Sequence, residues 1–230
     1  LPFLHHDTGH PRVPLPSSSV LRIIQDRDGF IWMGFYAAGL LRYDGSTGER
    51  YGVDDGLVHG TVRELIQDRE GHLWVGCESG VVVSLRPLDA YAPGERIRFA
   101  NRVGGVDLPH HRVRLGWMAP HPHGGVVVGT PNGRSWHYRV RRDRLVPRFL
   151  DGPGGTAGET QLAALTTSED GVIWLALEGG ELARRGLDDP AWTSIAADTR
   201  PHATVTTLAA DGAGGILAGC RDGSVWRWTA

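Results

Sequence analysis

The stretch Ile23 to Phe35, IIQDRDGFIWMGF, returns 42 residues later as LIQDREGHLWVGC from Leu65 to Cys77. Ten of the thirteen positions are identical or conservatively exchanged. That is too long and too regular for a catalytic motif, and it marks an internal repeat. Aligning on the glycine before each tryptophan-type strand extends it to five copies, anchored at Gly29, Gly71, Gly124, Gly171 and Gly214. A second glycine follows about ten residues later in each, at Gly39, Gly80, Gly133, Gly180 and Gly223. The first two copies are strong and the other three progressively worn.

Each copy predicts short strands separated by turn chemistry. A first strand covers Val20 to Ile24, then a turn of the Asp-Arg-Asp-Gly type, where aspartate can bond its own backbone and glycine accepts positive φ. A tryptophan strand runs from Phe30 to Phe35, a third strand from Leu40 to Asp44, and a fourth from Glu49 to Val53. No segment has a helical period. Four strands in about 45 residues, repeated, predict an all-β chain of β-propeller blades. The expected blades are 19–60, 61–111, 112–160, 161–202, and 203–230 completed by 1–18, in a single propeller domain spanning 1–230. Trp32, Trp74 and Trp174 are read as structural, each filling the gap to an adjacent blade, with Val127 and Leu217 in that slot in the worn copies. The last copy stops after three strands, so Leu1 to His6 is expected to supply its fourth and close a five-bladed ring, which would leave no open sheet edge. The alternative is part of a seven-bladed ring.

Composition narrows function. A net charge of −2 gives no field for nucleic acid. All 24 basic residues are arginine. Two cysteines, Cys77 and Cys220, build no disulfide scaffold. No apolar run reaches the ~20 residues of a membrane span, so direct membrane insertion is not expected. The chain begins with Leu1 and reads as a piece of something longer.

The segments SSSVLRIIQDRDGFIWMGFYAAGLLRYDG and DGLVHGTVRELIQDREGHLWVGCESG resemble the two-component regulator propeller repeat. Residues 19 to 85 carry that resemblance, and residues 112 to 230 follow only its glycines and strand rhythm. It implies a non-enzymatic, extracytoplasmic (periplasmic) sensor or interaction module of a bacterial signalling protein, with neighbouring domains of the parent as partners. A cytoplasmic location stands as the alternative. The repeat motif is architectural and brings no catalytic residue.

A ligand is expected on the loops joining strands two and three and those joining blades, because binding residues sit on such loops. The candidates are Phe35, Tyr36, His59, Glu78, His110, His111, Asn132, Glu178, His202 and Arg221. Aromatics beside carboxylates suit an oligosaccharide or another polar small molecule. Phe35 and Tyr36 lead, because an additional residue in blade one exposes two aromatics to a ligand, a neighbouring domain or a second copy in a homodimer. The competing reading is a protein-interaction scaffold with no small ligand. No cofactor or metal is expected: adjacent histidines (His5-His6, His110-His111) point to opposite faces of a strand. The loop Gly152 to Gly158 lacks the context of a phosphate loop, and the basic run Arg139 to Arg144 reads as a solvated hairpin edge. A resemblance to streptogramin lyases, which share a Gly-x-Ile-Trp strand, would make His59, His111 or His202 general-base candidates. Met33-Gly34-Phe35 and Val75-Gly76-Cys77 depart from that family's continuation.

Overall fold

A computed structural model describes residues 15–103, 106–107, 117–131, 133–142, 144–150, 161–196, 199 and 201–228. The expected closing strand at Leu1 to His6 lies outside them, as do His110, His111, Asn132 and the loop Gly152 to Gly158. The chain divides into two compact units, 1–113 and 114–230.

The first unit holds two four-stranded antiparallel sheets. Blade one is β1 (Val20–Gln25), β2 (Ile31–Phe35), β3 (Leu40–Tyr43) and β4 (Gly48–Tyr51). Blade two is β5 (Val62–Gln67), β6 (Leu73–Cys77), β7 (Gly80–Ser84) and β8 (Phe99–Ala100). A two-stranded ribbon, β9 (Arg102–Val103) with β10 (Val106–Asp107), follows. The second unit contains blade three, β11 (Trp117–Pro120), β12 (Val126–Gly129), β13 (Ser135–Arg141) and β14 (Arg144–Leu150). Blade four is β15 (Leu162–Thr167), β16 (Ile173–Leu177), β17 (Leu182–Arg185) and β18 (Thr193–Ser194). Blade five has three strands among the described residues, β19 (Val205–Ala210), β20 (Ile216–Cys220) and β21 (Val225–Trp228). In every blade the strands lie in chain order, which is the meander of a propeller blade.

The ten repeat glycines explain why the repeat is legible. All of them, from Gly29 at φ 91° to Gly223 at φ 86°, have positive φ, a region where a side chain is strained. A different glycine role appears at Gly34, where a Cβ would lie 2.7 Å from Cγ1 of Val62 on the next blade's first strand. At Gly129 it would lie 2.5 Å from Leu162 in the same relation. These glycines let β5 and β15 approach the preceding blade closely.

Trp32 is wholly buried among Leu40 and Tyr51 of its own blade and Val62, Leu65 and Leu73 of blade two. Trp174 sits likewise among Val205, Leu208 and Ile216 of blade five. Both fill inter-blade space as expected, and Trp74 is also fully buried. Of the two substitutes in the worn copies, Val127 is buried, but Leu217 is 36% exposed.

The acidic turn does more than turn. Asp26 accepts the backbone N–H groups of Asp28 (3.0 Å) and Phe30 (2.9 Å) on Oδ1, and the indole N–H of Trp32 on Oδ2 at 2.7 Å. Asp68 repeats this with His72 N–H at 2.9 Å and the Trp74 indole at 2.6 Å. A buried indole needs an acceptor, and an aspartate six residues upstream supplies it. The worn copies place His121, Ser168 and Asp211 at this position, and Asp211 takes Arg227 instead of an indole.

Candidate functional site

The predicted loop residues do share one end of the strands in the first unit. Buried Thr61 ties two of them, His59 and Glu78, to Ala37 beside Tyr36. Its N–H donates to His59 Nδ1 (2.9 Å), its hydroxyl accepts from Ala37 N–H (3.0 Å), and its carbonyl accepts from Glu78 N–H (3.0 Å). Tyr36 is 58% exposed there, His59 is exposed, and the half-buried Glu78 carboxylate is paired with Arg63. Phe35 is a correction: it is fully buried, packed with Leu41, Val20 and Met33. The additional residue of blade one is absorbed in the turn, where Ala37 adopts φ 55°, so β2 keeps Phe35 as its last residue and only Tyr36 emerges. In the second unit Glu178, His202 and Arg221 are exposed. Glu178 N–H donates to Gln161 O (2.8 Å) and Arg221 N–H to Thr204 O (2.9 Å). His110, His111 and Asn132 are outside the described residues. Among those described, no group of three or more His, Cys, Asp or Glu side chains could hold a metal ion.

Two clefts open at the other end of the strands, one in each unit, and sequence reasoning missed both. The first, of about 620 Å³, lies between blades one and two. Its blade-one wall includes Asp28, Phe30, Arg42, Asp44 and Glu49, and its floor is the β7–β8 connection with Asp89 and Tyr91. The Arg42 guanidinium lies 3.6 Å over the Phe30 ring, a cation–π contact that fixes the arginine against the wall. Asp44 accepts from Thr47 and Ser46, backbone and hydroxyl alike, and these bonds hold its carboxyl far below the usual range. Glu49 accepts from the Tyr51 hydroxyl (2.6 Å) and Arg96 (2.9 Å). Arg96 also grips the buried Asp55 through two nitrogens at 2.6 and 2.7 Å. Burial pushes the Asp55 carboxyl up, but Arg96, Gly52 N–H and Arg98 together bring it below its ordinary value. This lining is acidic, with one arginine, and suits hydroxyl donors or a cation.

The second cleft, of about 550 Å³, lies between blades three and four. It has the same construction. Glu49 pairs across the sheet with Arg42, and Arg148 pairs with His137 at the same place. Counted from the tryptophan slot, Asp28, Arg42, Asp44 and Glu49 correspond to His123, His137, Arg139 and Arg148. Three acids have become a histidine and two arginines. The facing wall from blade four carries Asp170, Asp188 and Asp189. Beneath this cleft His121 is buried, its ring centroid 4.8 Å from that of His137 and 5.3 Å from that of His123. Its Nε2–H meets Gly171 O at 3.1 Å, and its Nδ1 accepts His123 N–H at 3.2 Å. Burial first, then the neighbouring His137, pushes the His121 imidazole down to about 4, so the ring is neutral at neutral pH.

Comparison with known proteins places this architecture. The two-component regulator propeller family model matches residues 14–37 and 56–79. No curated protein matches the sequence significantly. Among solved structures, the β-propeller domain of Cps50 (Swd1) from Myceliophteria thermophila superposes with a TM-score of 0.67 at 16% identity, over 94% of this chain and 66% of that one. Virginiamycin B lyase from Staphylococcus aureus, solved in a catalytically inactive form with quinupristin, gives a TM-score of 0.64 at 12% identity, over 94% and 72%. The extracellular domain of a hybrid two-component system of B. thetaiotaomicron gives 0.60 at 18% identity, over 94% of this chain and 29% of that one. At these identities the likeness shows the fold. No described helix is long and apolar enough to cross a membrane. The fold is therefore that of a β-propeller, and its first two blades carry repeats of the two-component regulator propeller family.

Proposed function

We propose that this chain is a non-catalytic, extracytoplasmic sensing module of a bacterial signal-transduction protein, taking a polar small molecule in an inter-blade cleft and passing its state to neighbouring domains of a parent protein. The observation that carries the reading is the pair of clefts. Both have volumes within the ~300–1,000 Å³ usual for small-molecule sites. Both are lined by charged side chains from strands and turns, and the first repeat copy itself contributes Asp28, Arg42 and Asp44. The extracytoplasmic location rests on the likeness to extracellular domains of two-component proteins. Among the general-base candidates, His59 already uses Nδ1 as an acceptor for Thr61 N–H, which leaves the proton on its other ring nitrogen.

The test is thermal denaturation of the 230-residue chain against a panel of sugars, sugar acids, amines and small organic anions. A ligand at a hundredfold excess over its Kd adds about 2.7 kcal/mol, which raises Tm by roughly 5–11 °C for a domain of this size. The ligand should be recovered chemically unchanged. Consumption of the ligand would point to a lyase, and cooperative melting without any shift would point to an interaction scaffold.

A further inference from the structure

The β13–β14 hairpin differs from the other outer hairpins in length and in charge. Its strands have seven residues each, against four each in β3 and β4 and four and two in β17 and β18. The additional three residues carry it about 10 Å further at the usual rise per residue. The register sorts its side chains into two faces. Trp136 with Phe149, Tyr138 with Pro147, and Val140 with Leu145 form one, where Tyr138, Val140 and Leu145 are buried. His137 with Arg148, Arg139 with Val146, and Arg141 with Arg144 form the other. The second face is a ladder of four arginines and a histidine that runs into the second cleft.

Arg141 and Arg144 stand directly opposite each other at the outer end of this ladder and are exposed. Like charges in a direct cross-strand pair are destabilising, so the hairpin holds this arrangement at a cost. Two of the three carboxylates across the cleft are engaged in their own surroundings, while the third, Asp188, reaches over to Arg148 from a fully solvated position. Asp170 accepts from the Ser168 hydroxyl, Asp189 from Gly186 N–H (2.7 Å), and Asp188 from Arg148 (2.9 Å). A guanidinium binds planar or tetrahedral oxyanions through paired N–H donors. Two tiers of such groups, Arg139 and Arg148 within the cleft and Arg141 and Arg144 at its mouth, fit a ligand with more than one anionic group.

We infer that the second cleft and its basic ladder form a binding site for a small multiply charged anion, a molecule bearing two or more carboxylate, phosphate or sulfate groups. This rests on the sensing reading and narrows it to one cleft and one charge class. The probes are citrate, pyrophosphate and a trimer of galacturonic acid, titrated calorimetrically into the 230-residue chain at low and at physiological salt. At least one should bind, more weakly at the higher salt, and which one distinguishes carboxylate from phosphate chemistry. Arg141→Gln combined with Arg144→Gln should weaken it by at least about tenfold, the loss expected for one charge-assisted hydrogen bond. The double variant should melt no lower than the parent, because it removes a repulsion, and Arg134→Gln, at an exposed site in the β12–β13 turn outside the cleft, should bind as the parent does. Absence of binding by all three anions, or undiminished binding by the double variant, overturns the inference. If a neutral sugar or an amine binds while the anions do not, the sensing reading stands and this inference falls.

Discussion

The two clefts are built on one plan and differ in charge: carboxylates dominate the first, while the second sets arginines of blade three against aspartates of blade four. In each, the third and fourth strands of one blade face the acidic turn or the outer connection of the next. The backbone register that puts Glu49 beside Arg42 puts Arg148 beside His137. The frame is thus indifferent to what it displays: the strand pairings fix where a side chain stands, and the residue type decides what can approach it. The first unit uses the position for carboxylates locked by neighbours, the second for an arginine ladder above a histidine cluster. A repeat protein can vary one cleft without disturbing the other, because each depends only on adjacent blades.

The shared frame can be broken at its wedge. Trp32→Ala should cost about 3–5 kcal/mol, measured by urea denaturation, since the ring is wholly buried between blades one and two. Leu217→Ala, at the same register position in blade five but 36% exposed, should cost much less. Equal costs would mean that the tryptophan slot is not what joins the blades.

Acid should separate the two units. His121 sits near 4 in the folded protein, below the ~6.5 of a free imidazole. Because the folded value is depressed, its contribution is complete above about pH 6.5 and is lost as pH falls towards 4. The loss should reach about 3 kcal/mol at most. Asp55 in the first unit, also lowered, loses its contribution only as its carboxylate protonates, below about pH 4. Denaturation at about pH 7 and about pH 4.5 should show the drop, and His121→Gln should flatten it. An unchanged slope in that variant would assign the acid sensitivity elsewhere.

Smaller effects separate the ion pairs beside each cleft. Arg96→Ala takes both bonds from a buried carboxylate and should cost about 1–3 kcal/mol. Arg148→Ala breaks a pair whose aspartate is 98% exposed, and stability should stay within measurement error. That same change should weaken binding if an anion occupies the second cleft.

Strand positions, turn glycines and structural tryptophans were legible because each is a local requirement repeated along the chain. Phe35 was misplaced because the additional residue was assigned to exposure, whereas Ala37 absorbs it in a left-handed conformation. The Asp–Trp bond was readable but missed: both strong copies place aspartate six residues before tryptophan, and a buried indole needs an acceptor. The clefts were not readable by the same means. Asp28 and Asp89 meet across 61 positions, through a β7–β8 connection that has no counterpart in the repeat. Asp28 with His123 and Asp44 with Arg139 align by equal offsets from the tryptophan slot, but the inversion of Glu49 to Arg148 becomes visible only when the register of β13 with β14 is known.

The Asp–Trp bond also bears on the order of events in folding. Its two ends are six residues apart, inside a single hairpin. Hairpins close in about 1–10 μs, whereas Val62, Leu65 and Leu73, which complete the burial of Trp32, lie in the next blade, 30 or more positions further along. Contacts of low sequence separation form without the entropy of closing a long loop. The indole of each strong blade can therefore be aimed by its own aspartate before the next blade exists to receive it. In the worn blades, where that aspartate is replaced or its partner is lost, orientation of the slot residue must wait for docking. The first unit is the better placed to fold first, and it is also the part that emerges first during synthesis.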